Sequence, residues 1–173
     1  MDNPAFQYDM IDVTRQVMSN SFTPLYIDFV ARYTASNATN SSLSALSAAG
    51  QELLTLLVDL DATRTADFYE YNARNQITLW GPTGQINDYA SKAWGGLIAS
   101  YYVPRWTLFV DYLTATRPSS YNATALAARL RSFEEGWQTQ TWGERPTEKY
   151  GTKGELASVL ARVKGKWPSV FDV

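Results

Sequence analysis

Gln76 to Trp106 reads QITLWGPTGQINDYASKAWGGLIASYYVPRW, a tight turn between two helical patterns. In Gly81-Pro82-Thr83-Gly84 the proline stands second and the glycine fourth. A type I turn takes that order, because the ring presets φ at the second position and glycine relaxes the exit. Trp80 precedes the turn, and Ile86 and Tyr89 follow it. Asn87 or Asp88 can cap the next helix by accepting a backbone N–H. If Asn87 is the cap, Ser91 holds the fourth helical position, where a hydrophobic staple needs an apolar group. Ile86 then has no obvious local packing partner. Residues 68–112 carry 11 of the chain's 24 aromatics, so this region is either the heart of a core or the wall of a binding site.

Working outward, the periodicities are helical throughout. Leu43, Leu46, Gly50, Leu53, Leu54, Leu57 and Leu60 recur at spacings of three and four, which predicts a strong amphipathic helix. Residues 5–35 read as helix, with Tyr8, Ile11, Val13 and Val17 as an irregular apolar face. Pro24 is expected to interrupt it, with Thr23 capping a restart. Leu25, Phe29, Arg32 and Tyr33 continue the second piece, and 36–42 is a Ser/Thr/Asn loop. Asp61–Thr65 is a short polar break, and 66–80 is helical again with Tyr69, Ala73, Ile77 and Trp80 on one stripe. Beyond the turn, Ala90, Ala93, Trp94, Leu97 and Tyr101 trace a helix. Its Gly95-Gly96 pair costs about 1 kcal/mol per glycine against alanine and marks a close approach of backbone or ligand.

Pro104 opens a further helix through Thr116, ended by Arg117-Pro118-Ser119-Ser120. Leu126, Leu130, Phe133 and Trp137 mark another. Gly143–Gly154 is a charged loop, and Leu156, Val159, Leu160, Val163 and Trp167 make the last helix, stopped by Pro168. No alternating strand of any length and no internal repeat is read. The expectation is a single all-α domain over residues 1–173, an array of six or seven helices packed by their apolar stripes.

Composition narrows the chemistry. The chain has 173 residues, a net charge of −2, and neither cysteine nor histidine. Disulfides, thiol nucleophiles and His-based triads are excluded, and proton transfer would fall to carboxylates, Lys or Tyr. No basic footprint invites nucleic acid. No run is read as long and apolar enough to span a membrane, no signal peptide is read behind Met1, and no GxGxxG or GxxxxGK(S/T) loop appears. No metal, cofactor or catalytic residue is assigned. Glu134-Glu135 reads as a solvated helix face, because adjacent helical residues do not face each other. Glu70 and Arg74 read as a surface ion pair, Asp88 as a cap, Lys92 as a surface charge, and Arg105 as a bridge between helices or a support for a pocket. Asn37-Ala38-Thr39, Asn40-Ser41-Ser42 and Asn122-Ala123-Thr124 are glycosylation sequons in polar stretches. They point to a secretory route (lysosomal, vacuolar or extracellular), and a secreted chain without a leader is expected to be a fragment of a longer one.

The runs DFYEYNARNQITLWGP and GQINDYASKAWGGLIASYYVPRW, with FQYDMIDVTRQV at residues 6–17, resemble the C-terminal all-helical region of alpha-N-acetylglucosaminidases. These glycosidases remove terminal alpha-linked N-acetylglucosamine from glycans. The resemblance is specific at residues 67–106, clear at 6–17 and diffuse from Ser119 onward. It departs at one place. Family members carry another helical segment, with an LLGxWLxxA-like pattern, before the DFYEYN helix, where this chain has only Asp61–Thr65.

The resemblance implies a retaining glycosidase whose two glutamates, roughly 5–5.5 Å apart, lie in a barrel domain of the same polypeptide outside this chain. It implies that Trp80, Ile86 and Tyr89 close one side of the sugar pocket. An indole face stacks on the C–H face of a sugar, an isoleucine packs on an N-acetyl methyl, and a phenol hydrogen-bonds a hydroxyl. Periodicity alone puts Trp80 in the core and Ile86 in loop packing. The expected partners are the barrel and an N-acetylglucosamine-terminated glycan, and the isolated chain is expected to be catalytically silent. The rival readings are a free-standing glycan- or partner-binding helical module and an inert helical scaffold.

Overall fold

The computed structural model describes residues 4–36, 40–62, 78–79, 86–87, 98–140 and 156–168. Among them the chain is all-α: five α-helices, a π-helical segment, a 3-10 turn, and one two-residue strand pair. The helices are α1 (Pro4–Ala35), α2 (Asn40–Asp61), α3 (Val103–Ala115), α4 (Ala123–Thr139) and α5 (Leu156–Lys166). The described stretches thus hold five of the six or seven helices expected.

α2 lies at the centre because its apolar residues cover more than one side. Leu46, Ala49 and Leu53 join Phe29 and Tyr33 of α1, Val110, Tyr112 and Leu113 of α3, and Leu126 of α4. One to two turns on, Leu56, Leu57 and Leu60 join Met18 of α1, Ile98, and Val163 and Trp167 at the end of α5. Phe22, Leu25 and Trp106 pack against both groups and stitch them together. Ser42–Asp61 is long and apolar enough to cross a membrane by length and composition, contrary to the sequence reading. Half of that window is buried inside the fold, as in a core helix.

The close approach at the centre depends on Gly50. A Cβ there would stand 2.5 Å from Val110 Cγ1 and 3.1 Å from Phe29 Cε2. Three helices therefore meet where one of them has no side chain.

α1 corrects two expectations. It runs unbroken through Pro24, so Thr23 caps nothing. A mid-helix proline costs about 3 kcal/mol. Full burial of Met18 before it and Phe29 after it returns about 1.5–3 kcal/mol each. The carbonyl that Pro24 leaves unbonded belongs to Asn20, and both residues lie on the exposed side, within reach of solvent. The apolar face is also not the expected one. Val13 is 59% exposed while Thr14 is buried, and the inward row is Thr14, Met18, Phe29 and Tyr33. The side chains of Tyr8 and Ile11 lie outside the described residues.

The α3–α4 corner is built around Tyr112. Its hydroxyl accepts from the Asn122 N–H (3.0 Å) and donates to the Asn122 carbonyl (3.1 Å). Between them, Arg117 takes the extended conformation that a following proline imposes, and Pro118–Ser120 forms one 3-10 turn. Asn122 then caps α4, its side chain accepting from the Ala125 N–H. Tyr33 and Tyr112 both meet Tyr121 edge-on. Burial pushes the Tyr33 phenol above its ordinary pKa, with Tyr112 and Tyr121 adding to the effect.

Two glycines should respond in opposite directions to the same change. Gly50→Ala should destabilise the fold by up to about 2 kcal/mol. Overpacking against the stiff side chain of Val110 costs about 1–3 kcal/mol and outweighs a helix-propensity gain of about 1 kcal/mol. Gly136→Ala in α4, where a Cβ meets nothing within 4 Å, should stabilise by roughly 0.5–1 kcal/mol. Thermal and urea denaturation of the two variants read the opposite signs directly.

Candidate functional site

In the stretch that dominates the sequence, the residues described on either side of the expected turn form a short antiparallel strand pair rather than the ends of two helices. Thr78–Leu79 (β1) pairs antiparallel with Ile86–Asn87 (β2), with Thr78 opposite Asn87 and Leu79 opposite Ile86. This corrects the helical reading of 66–80 at its end: Thr78 and Leu79 are extended. Ile86 also has a backbone partner that the sequence did not suggest. The six residues between the strands include Gly81-Pro82-Thr83-Gly84, and a short Pro/Gly-containing connection suits an antiparallel pair. Of the three residues expected at a sugar pocket, Ile86 lies in β2, and Trp80 and Tyr89 lie outside the described residues. So do Glu70, Arg74, Asp88, Lys92, the Gly95-Gly96 pair and the Gly143–Gly154 loop.

What the structure shows well is how this segment is rooted. Among the described residues, α2 ends at Asp61 and helical structure is next described from Ile98. Asp61, buried at 4% exposure, accepts from the Ala99 N–H at 3.2 Å. One hydrogen bond thus joins positions 38 residues apart. A carboxylate is poorly placed at the C-terminus of α2 by the helix dipole alone, and the bond to a backbone N–H offsets that.

The π-helix Ile98–Tyr102 passes directly into α3. The sequence reading had a separate helix opening at Pro104. The proline instead sits in the first turn of α3, where its missing N–H is tolerated. Its ring crowds the turn before it, and the wider i→i+5 register ahead of it relieves the crowding. Tyr101 turns inward to stack on Phe133, with Trp137 close by.

Arg105 bridges helices. Its Nε donates to Glu134 Oε1 at 2.6 Å, and the Tyr101 hydroxyl donates to the same oxygen at 3.3 Å. Glu134 is therefore not a solvated residue, as the sequence suggested, but a mostly buried tie between α4 and α3. Glu135, next to it, pairs with Arg131 on the surface. Adjacent helical residues point to different faces, so one charge is buried while its neighbour remains wet.

The third tie is Asp59, which the sequence reading missed. Its Oδ2 accepts from Trp167 Nε1 (2.9 Å) and Lys166 Nζ (2.8 Å), fastening the end of α5 to α2. A polar residue in a leucine-rich stripe was the available signal. An apolar cleft of about 270 Å³ lies between α1, α2, the π-helix and α3. Met18, Phe22, Leu60, Ile98 and Trp106 line it, with Arg15 at its edge. Chemically, the described site is scaffold. Asp59, Asp61 and Glu134 are each taken up by structural donors, and no group of three or more His, Cys, Asp or Glu side chains among the described residues could hold a metal ion.

An all-helical fold that also carries a short antiparallel strand pair is the class of protein these features define. The family follows from comparison. The chain matches the family model described as "Alpha-N-acetylglucosaminidase (NAGLU) C-terminal domain" in two stretches, residues 1–64 and 61–163, and it belongs to that family. It is similar to the human protein named alpha-N-acetylglucosaminidase, 38% identical over 131 residues, covering 64% of this chain and 18% of that protein. The chain thus corresponds to less than a fifth of that relative's length. No solved structure matches. The two matched stretches meet at 61–64, where the sequence lacks the expected helical segment.

The Asp61 bond should be measurable. Asp61→Ala should cost about 1–3 kcal/mol, because the Ala99 N–H is left without its acceptor. Asp61→Asn, which keeps an acceptor oxygen, should cost less. Amide hydrogen exchange at Ala99 should accelerate in the alanine variant. Unchanged exchange there would show that the bond does not hold the chain at Ala99.

Proposed function

We propose that residues 1–173 form a single helical domain that completes the substrate pocket of an alpha-N-acetylglucosaminidase. The reaction is hydrolysis of terminal alpha-linked N-acetylglucosamine from glycans. Trp80, Ile86 and Tyr89 form one wall of the pocket. The acid/base and nucleophilic glutamates come from a barrel domain elsewhere in the same polypeptide.

The observation that carries this reading is the family match over nearly the whole chain, including the hairpin segment. The structure is consistent with it in two ways. The buried carboxylates described are committed to internal donors, which leaves retaining chemistry to a pair of glutamates elsewhere. The β1–β2 register sets Ile86 across from the residue that precedes Trp80 in the chain. The three sequons favour a secretory route for the polypeptide.

The test uses two proteins. Residues 1–173 alone should show no turnover of an aryl alpha-N-acetylglucosaminide. In the full-length enzyme, Trp80→Ala should lower kcat/KM by roughly tenfold to a hundredfold, or about 1.4–2.8 kcal/mol of transition-state stabilisation. The melting temperature of that variant should stay near the wild-type value. Robust turnover by the isolated chain, or an unchanged kcat/KM in the Trp80 variant, would reject the reading.

A further inference from the structure

Among the three sequons, Asn122-Ala123-Thr124 is the one whose asparagine side chain the structure describes. Asn122 is exposed, as are Tyr121, Ala123, Thr124 and Ala125 around it. Its side chain has two chemically distinct ends. Oδ1 accepts the Ala125 N–H at 3.0 Å and caps α4. No structural bond of Nδ2 accompanies that cap, and Nδ2 is the atom that N-linked glycosylation modifies. The backbone on either side of the side chain is held by the Tyr112 hydroxyl through both the N–H and the carbonyl.

We propose that Asn122 has two roles, carrying an N-linked glycan on Nδ2 while its Oδ1 caps α4. The proposal rests on the secretory route given above. A lipid-linked oligosaccharide pyrophosphate is the co-reactant. A bond forms between Nδ2 and C1 of the first sugar, the bond from C1 to the pyrophosphate oxygen breaks, and Nδ2 loses one proton. The primary amide becomes a secondary amide, and its carbonyl oxygen is unchanged. The acceptor that the cap needs therefore survives the modification, and the glycan leaves from the exposed end of the same group. A capping Asp or Ser in this position would stabilise the helix as well but could not be glycosylated.

The experiment expresses the full-length polypeptide behind a secretory leader in a eukaryotic host, so the route is supplied whatever the native compartment is. The protein is digested after enzymatic deglycosylation, which converts each occupied asparagine to aspartate, and the 122 peptide is read by mass spectrometry. The expected result is conversion at Asn122 in the wild type and loss of one glycan's mass in Thr124→Ala. Thr124→Ala and Asn122→Asp should both keep the wild-type melting temperature, since both retain the cap, while Asn122→Ala should melt lower. An unmodified Asn122 in this host overturns the site, even if Asn37 or Asn40 is occupied. Glycosylated wild type that melts as low as Asn122→Ala overturns the shared role. Failure of the secretory reading is separate: it would show as Asn122 modified in this host but not in the native one.

Discussion

The fold depends on the absence of one side chain. At Gly50, α2 passes Val110 of α3 and Phe29 of α1 so closely that a methyl group would overlap the first and press on the second. Glycine is a poor helix residue, costing about 1 kcal/mol against alanine. Here that cost is offset because its backbone lets two other helices close on α2 without a gap. Leu46, Ala49 and Leu53 lie around the same point and bury their side chains against both neighbours. A helix that serves as the axis of a bundle needs apolar residues on more than one side and a small residue where the approach is closest, and α2 has both.

From that axis the remaining elements are attached by a few specific polar bonds. Asp59 fastens α5, Asp61 fastens the start of the π-helix, and the Arg105–Glu134 pair fastens α4 to α3. Each is wholly or partly buried and has its donors in place, which is the condition under which a buried charge is tolerated. Apolar packing has little directional preference and would allow α5 or the π-helix to slide along α2. A carboxylate bonded to one indole N–H or one backbone N–H does not. The polar ties therefore set register where the apolar contacts supply most of the stabilisation.

Much of this was legible in the sequence. The row from Leu46 to Leu60 is so regular that its helix and its buried face follow from spacing alone. Val163, Trp167 and Pro168 likewise define the end of α5. The rest was set by tertiary contacts that a local pattern does not contain. Pro24 reads as a helix break, but Met18 and Phe29 hold both halves of α1 against the same neighbours. Val13 reads as apolar face, yet Thr14 is turned inward. Glu134 reads as a solvated charge because its partner, Arg105, is 29 residues away in the chain. Thr78 and Leu79 continue a helical stripe in the sequence, but they pair with Asn87 and Ile86 across the turn. The pocket role expected of Trp80 and Tyr89 comes from the family resemblance alone, since periodicity places Trp80 in a core, and both lie outside the described residues.

The same polar economy bears on what the described carboxylates are free to do. A retaining glycosidase needs one carboxyl held protonated and another held ionised, both turned toward the substrate and free to exchange a proton or form a bond. Asp59 and Asp61 are buried in this domain, but each is directed at an internal donor, and Glu134 is closed off by a guanidinium and a phenol. Redirecting any of them toward a sugar would release α5, the π-helix or α4. Among the described residues, then, the buried and half-buried carboxylates Asp59, Asp61 and Glu134 each fix the placement of a helix, and the polar groups that set register are committed to the fold itself.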